Sequence, residues 1–447
     1  MRMSDGLKKN GEVIELSFGG GSFVSENKVL PGVYVNVGAG MKSSLAVADR
    51  GVAALGLELS WGPEGELIYL TEGDFRKEAL RRFGYSYADE AMKGLRDLFK
   101  HAAGCYLYRL NGGEKAANDY CEAKYSGARG NAVSIVISGG DDLYSVATLV
   151  DGREVDVQSV GTAAELQDND FVCWKREAEL AATAGTPLTG GLDKKAEAED
   201  YAEMFTALEG VSFNTLGCLA TDRSIKQLFV QYTKEQREDN GKKFQTVMYR
   251  EAADYEGVIS VENKAEDGNY PESAAVYWFT GAEAGCAVNC GLTNAGYDGE
   301  LNVIPLLGQE ALKEAMQQGR IVLHRQNGRI KVLEDINSLV SVNVGGRSED
   351  MRFNQTVRVL DQIVSDLSTL FYEKYLGVML NDNAGRLSLW NDIVSYYRKL
   401  ESLRAIENFD PADISVEQGD RKNAVKINSY LTVINAMSQL YLTVTFE

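Results

Sequence analysis

The stretch VSFNTLGCLATDRSIKQLFVQYTKEQREDNGKKFQTVMY, residues 211–249, decides the fold class. Its first ten residues are mostly apolar and typical of a buried strand. Asp222 then precedes a segment with apolar residues at helical spacing that continues to about Asp239, and KFQTVMY is again typical of a strand. Strand, helix and strand in this order predict a βαβ unit in a layered α/β domain.

Strand and helix predictions continue on both sides of this unit. Residues 196–209 carry apolar side chains at helical spacing, and residues 105–185 hold short strand candidates with turn signals such as Asp151-Gly152. Regular short strands with such turns predict a small β-sandwich. Toward the C-terminus we expect strand 257–261, helix 272–289, strand 301–306, helix 309–318, and a hairpin over 321–333 around Asn327-Gly328.

The flanking regions are mixed. Toward the N-terminus the sequence predicts strands over 33–37 and 51–63, and a helix that begins at Ser86, where Ser86 and Asp89 match a capping box. Toward the C-terminus it predicts two long helices and further strands: 354–376, 386–407, ISVEQ and AVKINSYLTVINA.

Segments near both ends of the chain alternate like strands. In QLYLTVTFE, residues 439–447, apolar and polar side chains alternate, and EVIELSF near the start shows the same pattern. GGGS, residues 19–22, follows EVIELSF and predicts a flexible connection. The apolar side chains of each segment, which we expect to lie on one buried face of a sheet, are those of Ile14, Leu16, Phe18, Leu440, Leu442, Val444 and Phe446.

Composition narrows the function classes. The 447 residues include 46 Lys and Arg against 65 Asp and Glu, so the net charge of −19 disfavours bulk nucleic-acid binding. The first residues contain no apolar signal region, and no apolar stretch is long enough to span a bilayer. The six scattered cysteines form no disulfide framework, which indicates synthesis and folding in a reducing cytoplasm.

Catalytic and cofactor motifs are weak throughout. The two histidines, His101 and His324, lack the partners of a catalytic triad and are expected to be structural. Cys286 and Cys290 share the spacing of a helix face, but no second ligand pair accompanies them. The glycine-rich loops match neither a P-loop nor a dinucleotide fingerprint, and no G-x-S-x-G motif is present. We therefore predict no catalytic, cofactor-binding or metal-binding residue, and no cofactor.

Several stretches together resemble contractile phage tail sheath proteins, and the likeness is strongest to sheaths of myophages and phage-tail-like bacteriocins of Gram-positive hosts. It runs in order from about residue 17 to the end of the sequence. The stretches are GGGSFVSENKVLPGVYVNV, GARGNAVSIVI, VDVQSVGTAAELQDNDFV, FNTLGCLATDRSIKQLFVQYTKEQREDNGKKFQTV, YEGVISVEN, GAEAGCAVNCGLTNAGYDGEL and LYLTVTFE.

The resemblance implies an α/β and α+β multidomain fold with a discontinuous core from the N- and C-terminal regions, into which a β-sandwich and an α/β domain are inserted. Extended strand arms at both termini complete it. In the family these arms add strands to sheets of neighbouring subunits, and the residues that the resemblance implies for this strand donation are Ile14, Leu16, Phe18, Leu440, Leu442, Val444 and Phe446. The expected divisions are an N-terminal arm (1–30), the first part of the core (31–104), the β-sandwich (105–185), the α/β domain (186–335), the second part of the core (336–438) and the C-terminal arm (439–447).

The resemblance also implies a structural, non-enzymatic subunit. Such subunits polymerise as stacked hexameric rings around an inner tail tube and contract to drive the tube through a cell envelope. The implied partners are other copies of the chain, the inner tube protein, and baseplate and tail terminator proteins, in a virion tail or tail-like particle assembled in the host cytoplasm; nucleic acid and membrane are not expected partners. Family members contact the tube through a helix of the C-terminal core, and the candidate tube-contact residues here are Arg386, Arg398, Lys399 and Arg404.

Two other classes stay open from the sequence. One is an α/β enzyme that acts on a small molecule without a recognisable cofactor motif, and the other is a non-contractile structural protein of a tail. The sequence does not distinguish an infectious phage from a defective, bacteriocin-like particle.

Overall fold

The computed structural model describes residues 19–21, 32–34, 50–140, 143–268, 270–342 and 348–445. Its helices are α1 (Glu72–Phe83), α2 (Lys93–Phe99), α3 (Ala198–Leu208), α4 (Arg223–Glu238), α5 (Ala275–Gly285), α6 (Gln309–Gln317), α7 (Asn354–Leu370) and α8 (Asn383–Ser402). A π-helical turn, Phe371–Tyr375, continues α7.

The strands of the first half of the chain are β1 (Gly19–Gly21), β2 (Gly32–Tyr34), β3 (Val52–Leu57), β4 (Leu67–Thr71), β5 (Gly104–Arg109), β6 (Gly113–Glu114), β7 (Cys121–Ala123), β8 (Val133–Gly140), β9 (Leu143–Val150), β10 (Arg153–Val160), β11 (Val172–Trp174), β12 (Thr183–Pro187), β13 (Leu192–Asp193) and β14 (Thr215–Cys218). Those of the second half are β15 (Gln245–Tyr249), β16 (Val258–Val261), β17 (Arg320–Ile321), β18 (Leu323–Gln326), β19 (Arg329–Val332), β20 (Ile406–Glu407), β21 (Ile414–Gln418), β22 (Val425–Ser429) and β23 (Thr432–Val433).

A seven-stranded sheet organises the centre of the fold, in the order β17-β16-β15-β14-β3-β5-β4. All neighbours are parallel except β4, which runs antiparallel to β5 at one edge. The residues of β14, β15 and β16 are buried on both faces, as expected for parallel strands covered by helices. Helices α1, α2 and α5 cover one face, and α3 and α4 cover the other.

The βαβ unit predicted from residues 211–249 is present as β14, α4 and β15. Asp222 caps α4 by accepting hydrogen bonds from the backbone N–H groups of Ser224 (2.8 Å) and Ile225 (3.2 Å). Phe229 and Val230 then pack against the sheet, because they lie on the apolar stripe that follows the cap.

The sheet crosses the predicted domain division. Strands β3, β4 and β5 lie within or next to the segment assigned to the first part of the core, but they belong to the same sheet as β14 to β17. The CYLYRL strand, assigned from the sequence to the β-sandwich, is β5 of this sheet. The predicted boundaries themselves stay a prediction.

Three local predictions were wrong. The helix placed at Ser86 begins later: Asp89 caps a short 3₁₀ turn, Glu90–Met92, that leads into α2. Residues 301–306 form isolated pairings rather than a strand, through Val303 with Ala265 and Leu306 with His324. Residues 19–21 of the GGGS segment, expected as a flexible connection, form β1 and pair in parallel with β2.

Two further units flank the central sheet. Strands β10, β9, β8 and β12 form a four-stranded sheet whose core includes Trp61 and Val146, next to the two-stranded pairs β11–β7 and β13–β6. The C-terminal unit packs α7 and α8 around Ile393 and Tyr397, and carries the hairpin β21–β22 and the pair β20–β23. The expected α/β multidomain fold is therefore confirmed.

Candidate assembly surfaces

The described part of the C-terminal arm, residues 439–445, exposes a row of large apolar side chains. Leu440, Leu442 and Val444 are 86%, 74% and 76% exposed. Within the described ranges no strand pairs with this segment. Exposed apolar rows of this kind mark interaction sites. They are compatible with the predicted pairing with another subunit, which stays a prediction for these residues. Phe446 and the N-terminal positions Ile14, Leu16 and Phe18 lie outside the described residues.

The hairpin β21–β22 provides strand edges. Its register runs from Ile414 opposite Ser429 to Gln418 opposite Val425, and no third strand joins it among the described residues. The hairpin is fixed to α8, since the indole N–H of Trp390 donates to the carbonyl of Ile414 (3.2 Å). Within the part of the chain that the structure describes, each of its two strands therefore has one unpaired edge on a rigid support, which is the requirement for strand addition.

The predicted tube-contact residues separate into two groups. Arg386 is half-buried at the start of α8, where its guanidinium donates to Asn381 (3.0 and 2.9 Å) and Asn383 (2.5 Å). Arg398, Lys399 and Arg404 lie at the other end, about 18 Å or more away along a helix of this length. These three residues are exposed, and none forms an ion pair with a described residue; we call them the basic corner.

The predicted second helix, 386–407, ends earlier than expected, since α8 stops at Ser402. Arg404 lies beyond this end with a φ of 61°. The basic corner therefore combines the last turn of α8 with the turn that follows it.

An apolar surface that the sequence analysis missed lies near Arg386. Val378, Leu380 and Leu387 are 72%, 78% and 59% exposed, and a cavity of about 330 Å³ opens beside them between Phe371 and Val425. The signal in the sequence is the run Val378-Met379-Leu380, three apolar residues directly after Gly377. With the basic corner, this surface places apolar and positively charged regions at opposite ends of α8.

A buried charge cluster holds α7 against α4, α5 and the loop after β19. Its members are Arg237, Glu283, Asp335, Arg358 and Asp361, which are at most 6% exposed. Arg358 donates to Glu283 (2.5 Å) and Asp335 (3.2 Å), and Arg237 binds Asp361 through two hydrogen bonds of 2.6 and 2.8 Å.

The carboxyl groups of Glu283 and Asp335, which both contact Arg358, are not equivalent. Burial and the neighbouring Asp335 raise the pKa of Glu283 well above its usual value. Burial alone would raise the pKa of Asp335, but Arg358 and hydrogen bonds from Glu283, Leu292 and Asn354 outweigh it and lower that pKa. The negative charge of the pair is therefore favoured on Asp335 rather than on Glu283.

Groups that could suggest catalysis have structural surroundings. His101 lies 3.0 Å from Asp298 and packs edge-on against Trp278. Cys286 and Cys290 do not share a helix face, because α5 ends at Gly285. Across the ranges that the structure describes, no cluster of three or more His, Cys, Asp or Glu side chains could hold a metal ion, and no helix is long and apolar enough to cross a membrane.

The layered sheet, the flanking sandwich and the exposed arm together are typical of a structural protein that assembles with other copies. Comparison with known proteins identifies its family. Family models match four successive parts of the chain: the tail sheath protein Gp18 domain III N-terminal region (50–110), the phage tail sheath protein beta-sandwich domain (111–193), the phage tail sheath protein central domain (194–338) and the phage tail sheath C-terminal domain (347–447).

Individual relatives agree with these models. The crystal structure of a sheath tail protein from Desulfitobacterium hafniense is 34% identical, with a TM-score of 0.81 over 91% of this chain and 97% of that one. The phage-like element PBSX protein XkdK of Bacillus subtilis is 27% identical over 95% of this chain and 99% of its own length. The helical sheath of the anti-feeding prophage in its contracted state, 12% identical with a TM-score of 0.58 over 94% of this chain and 100% of that one, shares the fold alone.

The chain belongs to the phage tail sheath family. It is therefore a structural component of a phage tail or a tail-like particle, and not an enzyme.

Proposed function

We propose that this chain is the subunit of a contractile sheath, which polymerises as stacked hexameric rings around an inner tail tube and contracts to drive the tube through the envelope of a target cell. The observation that carries the proposal is the exposed apolar row of the C-terminal arm on a chain of this family. Baseplate and tail terminator proteins are its further partners, and assembly takes place in the host cytoplasm.

Subunits are joined by donated strands in this proposal. The C-terminal arm of one copy, through Leu440, Leu442, Val444 and Phe446, adds to an open edge of the hairpin β21–β22 of another copy. The N-terminal arm, through Ile14, Leu16 and Phe18, joins a second neighbour in the same way. Strand addition suits a sheath, because backbone hydrogen bonds of a donated strand persist while the bodies of the subunits rotate.

The basic corner faces the tube in this proposal, with Arg386 and the apolar surface at the other end of α8 completing the contact. Three exposed positive side chains lie together at the basic corner of a chain with a net charge of −19, so a negatively charged tube surface is the complementary partner. No cofactor is required, because contraction draws on the free-energy difference between two packings of the same subunits.

Reversing the charge of the basic corner is expected to weaken assembly on tubes. In the triple variant Arg398→Glu, Lys399→Glu and Arg404→Glu, attraction becomes repulsion, and affinity for tubes should fall roughly tenfold at low salt, given about 0.2–1 kcal/mol per exposed pair. Co-sedimentation with purified tubes between about 0.02 and 0.5 M salt measures the effect, which screening should reduce at high salt.

The matched control reverses three exposed basic side chains of the α/β region that also form no ion pair with a described residue, Lys195, Arg325 and Arg329, and changes the net charge equally. It should sediment with tubes like the unmodified chain. Equal behaviour of the two triple variants would remove the tube assignment from the basic corner.

Electron microscopy of the purified protein tests the proposed function directly. A contractile sheath subunit should form wide, ridged, hollow tubes, and with inner tubes present it should give sheaths of two lengths, before and after a denaturant pulse. Small closed oligomers would favour the enzyme alternative, and sheaths of one fixed length would favour a non-contractile tail protein.

A further inference from the structure

Side chains of α7, chiefly Gln355, hold residues 434–436, which we call the root of the C-terminal arm. The amide of Gln355 donates to the carbonyl of Ile434 (3.0 Å) and accepts from the N–H of Ala436 (3.0 Å). It thus takes the place of a peptide group in a neighbouring strand. Thr356 adds a hydrogen bond from its hydroxyl to the side chain of Asn435 (3.1 Å).

The hold ends abruptly after Ala436. Met437 is 100% exposed, and residues 438–445 are exposed as well. Gln355 itself is 4% exposed, and its amide lies against Gly291, where a Cβ atom would come within 3.1 Å of the amide oxygen. A buried polar side chain that is satisfied by two backbone groups of a surface segment fixes that segment strongly, since loosening it leaves unpaired buried groups.

The same helix also contacts the segment that precedes β3. Arg50 donates to the carbonyl of Cys286 (3.2 Å) and lies 3.5 Å from the side-chain oxygen of Gln362. Gln355 and Gln362 are two turns apart on α7, about 10 Å along its axis. Between them lie Arg358 and Asp361, whose ion pairs fix α7 to α5 and α4.

We propose that α7 is a rigid mount for the root of the C-terminal arm, residues 434–436, and that Gln355 sets the pivot of this arm at the Ala436–Met437 junction. The inference rests on the proposed strand donation. During contraction the arm swings about this junction while residues 434–436 stay on α7.

Hydrogen exchange of the unassembled subunit tests the pivot without any polymer. In the unmodified chain, protection should end between Ala436 and Met437. In Gln355→Leu, the Ala436 amide should exchange about tenfold faster, as expected for one lost hydrogen bond, and the boundary should move back to Ile434, whose N–H stays bonded to the carbonyl of Ala405 (3.0 Å). Gln317→Leu, an exposed glutamine of α6, serves as the control and should leave the boundary unchanged. A boundary that stays at Ala436 in Gln355→Leu overturns the inference.

A disulfide tests whether the root stays on α7 during contraction. A Cβ atom at position 291 would lie 3.9 Å from that of Ala436, within the range for a disulfide of about 3.5–4.5 Å. Gly291→Cys with Ala436→Cys, in a Cys290→Ser background, should give sheaths on inner tubes that contract equally when oxidised and when reduced. Oxidised sheaths that stay extended until reduction would overturn the mount.

The two failures can be distinguished. An unmodified chain that forms no sheath contradicts the proposed function, while the exchange boundary still decides whether Gln355 sets the pivot.

Discussion

Removing residues 441–447 is expected to abolish polymerisation while the subunit stays folded. The truncation deletes Leu442 and Val444, and full burial of such side chains contributes about 1.5–3 kcal/mol each. A loss of about 3–6 kcal/mol per contact raises the critical concentration roughly 100- to 10,000-fold. Sedimentation and electron microscopy measure polymer, and circular dichroism and thermal unfolding measure the fold, which should not change because residues 441–445 are exposed.

Point variants separate the apolar face of the arm from its length. Leu442→Ser with Val444→Ser removes the apolar side chains and should prevent polymers nearly as well as the truncation. Thr443→Ala with Thr445→Ala changes the opposite face and should polymerise with little loss. Normal polymers from the truncated chain would show that the C-terminal arm is not a donated strand.

Replacing Arg358 by Met is expected to destabilise the fold by about 3–5 kcal/mol, the usual cost of leaving a buried charge without its partner. Arg358 is 1% exposed and is the cation shared by Glu283 and Asp335, so its loss leaves two buried carboxyl groups without their cation. For a cooperative unit of about 150–250 residues, this loss should lower the melting temperature by roughly 6–20 °C. Differential scanning calorimetry measures the shift.

Arg404→Met is the control for this variant, because it removes a cation from an exposed position and should change stability by no more than about 0.5 kcal/mol. An equal melting temperature for Arg358→Met and the unmodified chain would mean that the buried charge cluster does not hold α7 in place.

The sequence predicted best where one segment carried its own signals. Asp222 and the apolar stripe after it predicted α4, and Asn327-Gly328 predicted the hairpin β18–β19, because the residues that form a cap or a turn are neighbours in the sequence. Helix α1 was missed, although Thr71 and Asp74 form a capping box there. Its stripe of Phe75, Ala79 and Phe83 is interrupted by charged residues, so the cap was the main signal.

Features that join distant segments could not be predicted from the sequence. Glu283, Asp335 and Arg358 come together only when α5, α7 and the loop between them pack, and no local pattern marks them as partners. The residues of the basic corner were predicted from the sequence as tube-contact candidates together with Arg386. Their separation from Arg386 in space depends on where α8 begins and ends, which the sequence predicted less well. The same holds for Gln355, whose partners lie about eighty residues further along the chain.

The hairpin β21–β22 also bears on how the free subunit survives before assembly. Two open edges invite edge-to-edge aggregation of identical chains in a crowded cell. Glu417 and Lys426 are paired in register and exposed on the hairpin, so hydrated charges stand at the position where an unwanted copy would stack. Unassembled subunits are therefore protected at the surface that is proposed to accept a strand, and their solubility should depend on these two side chains.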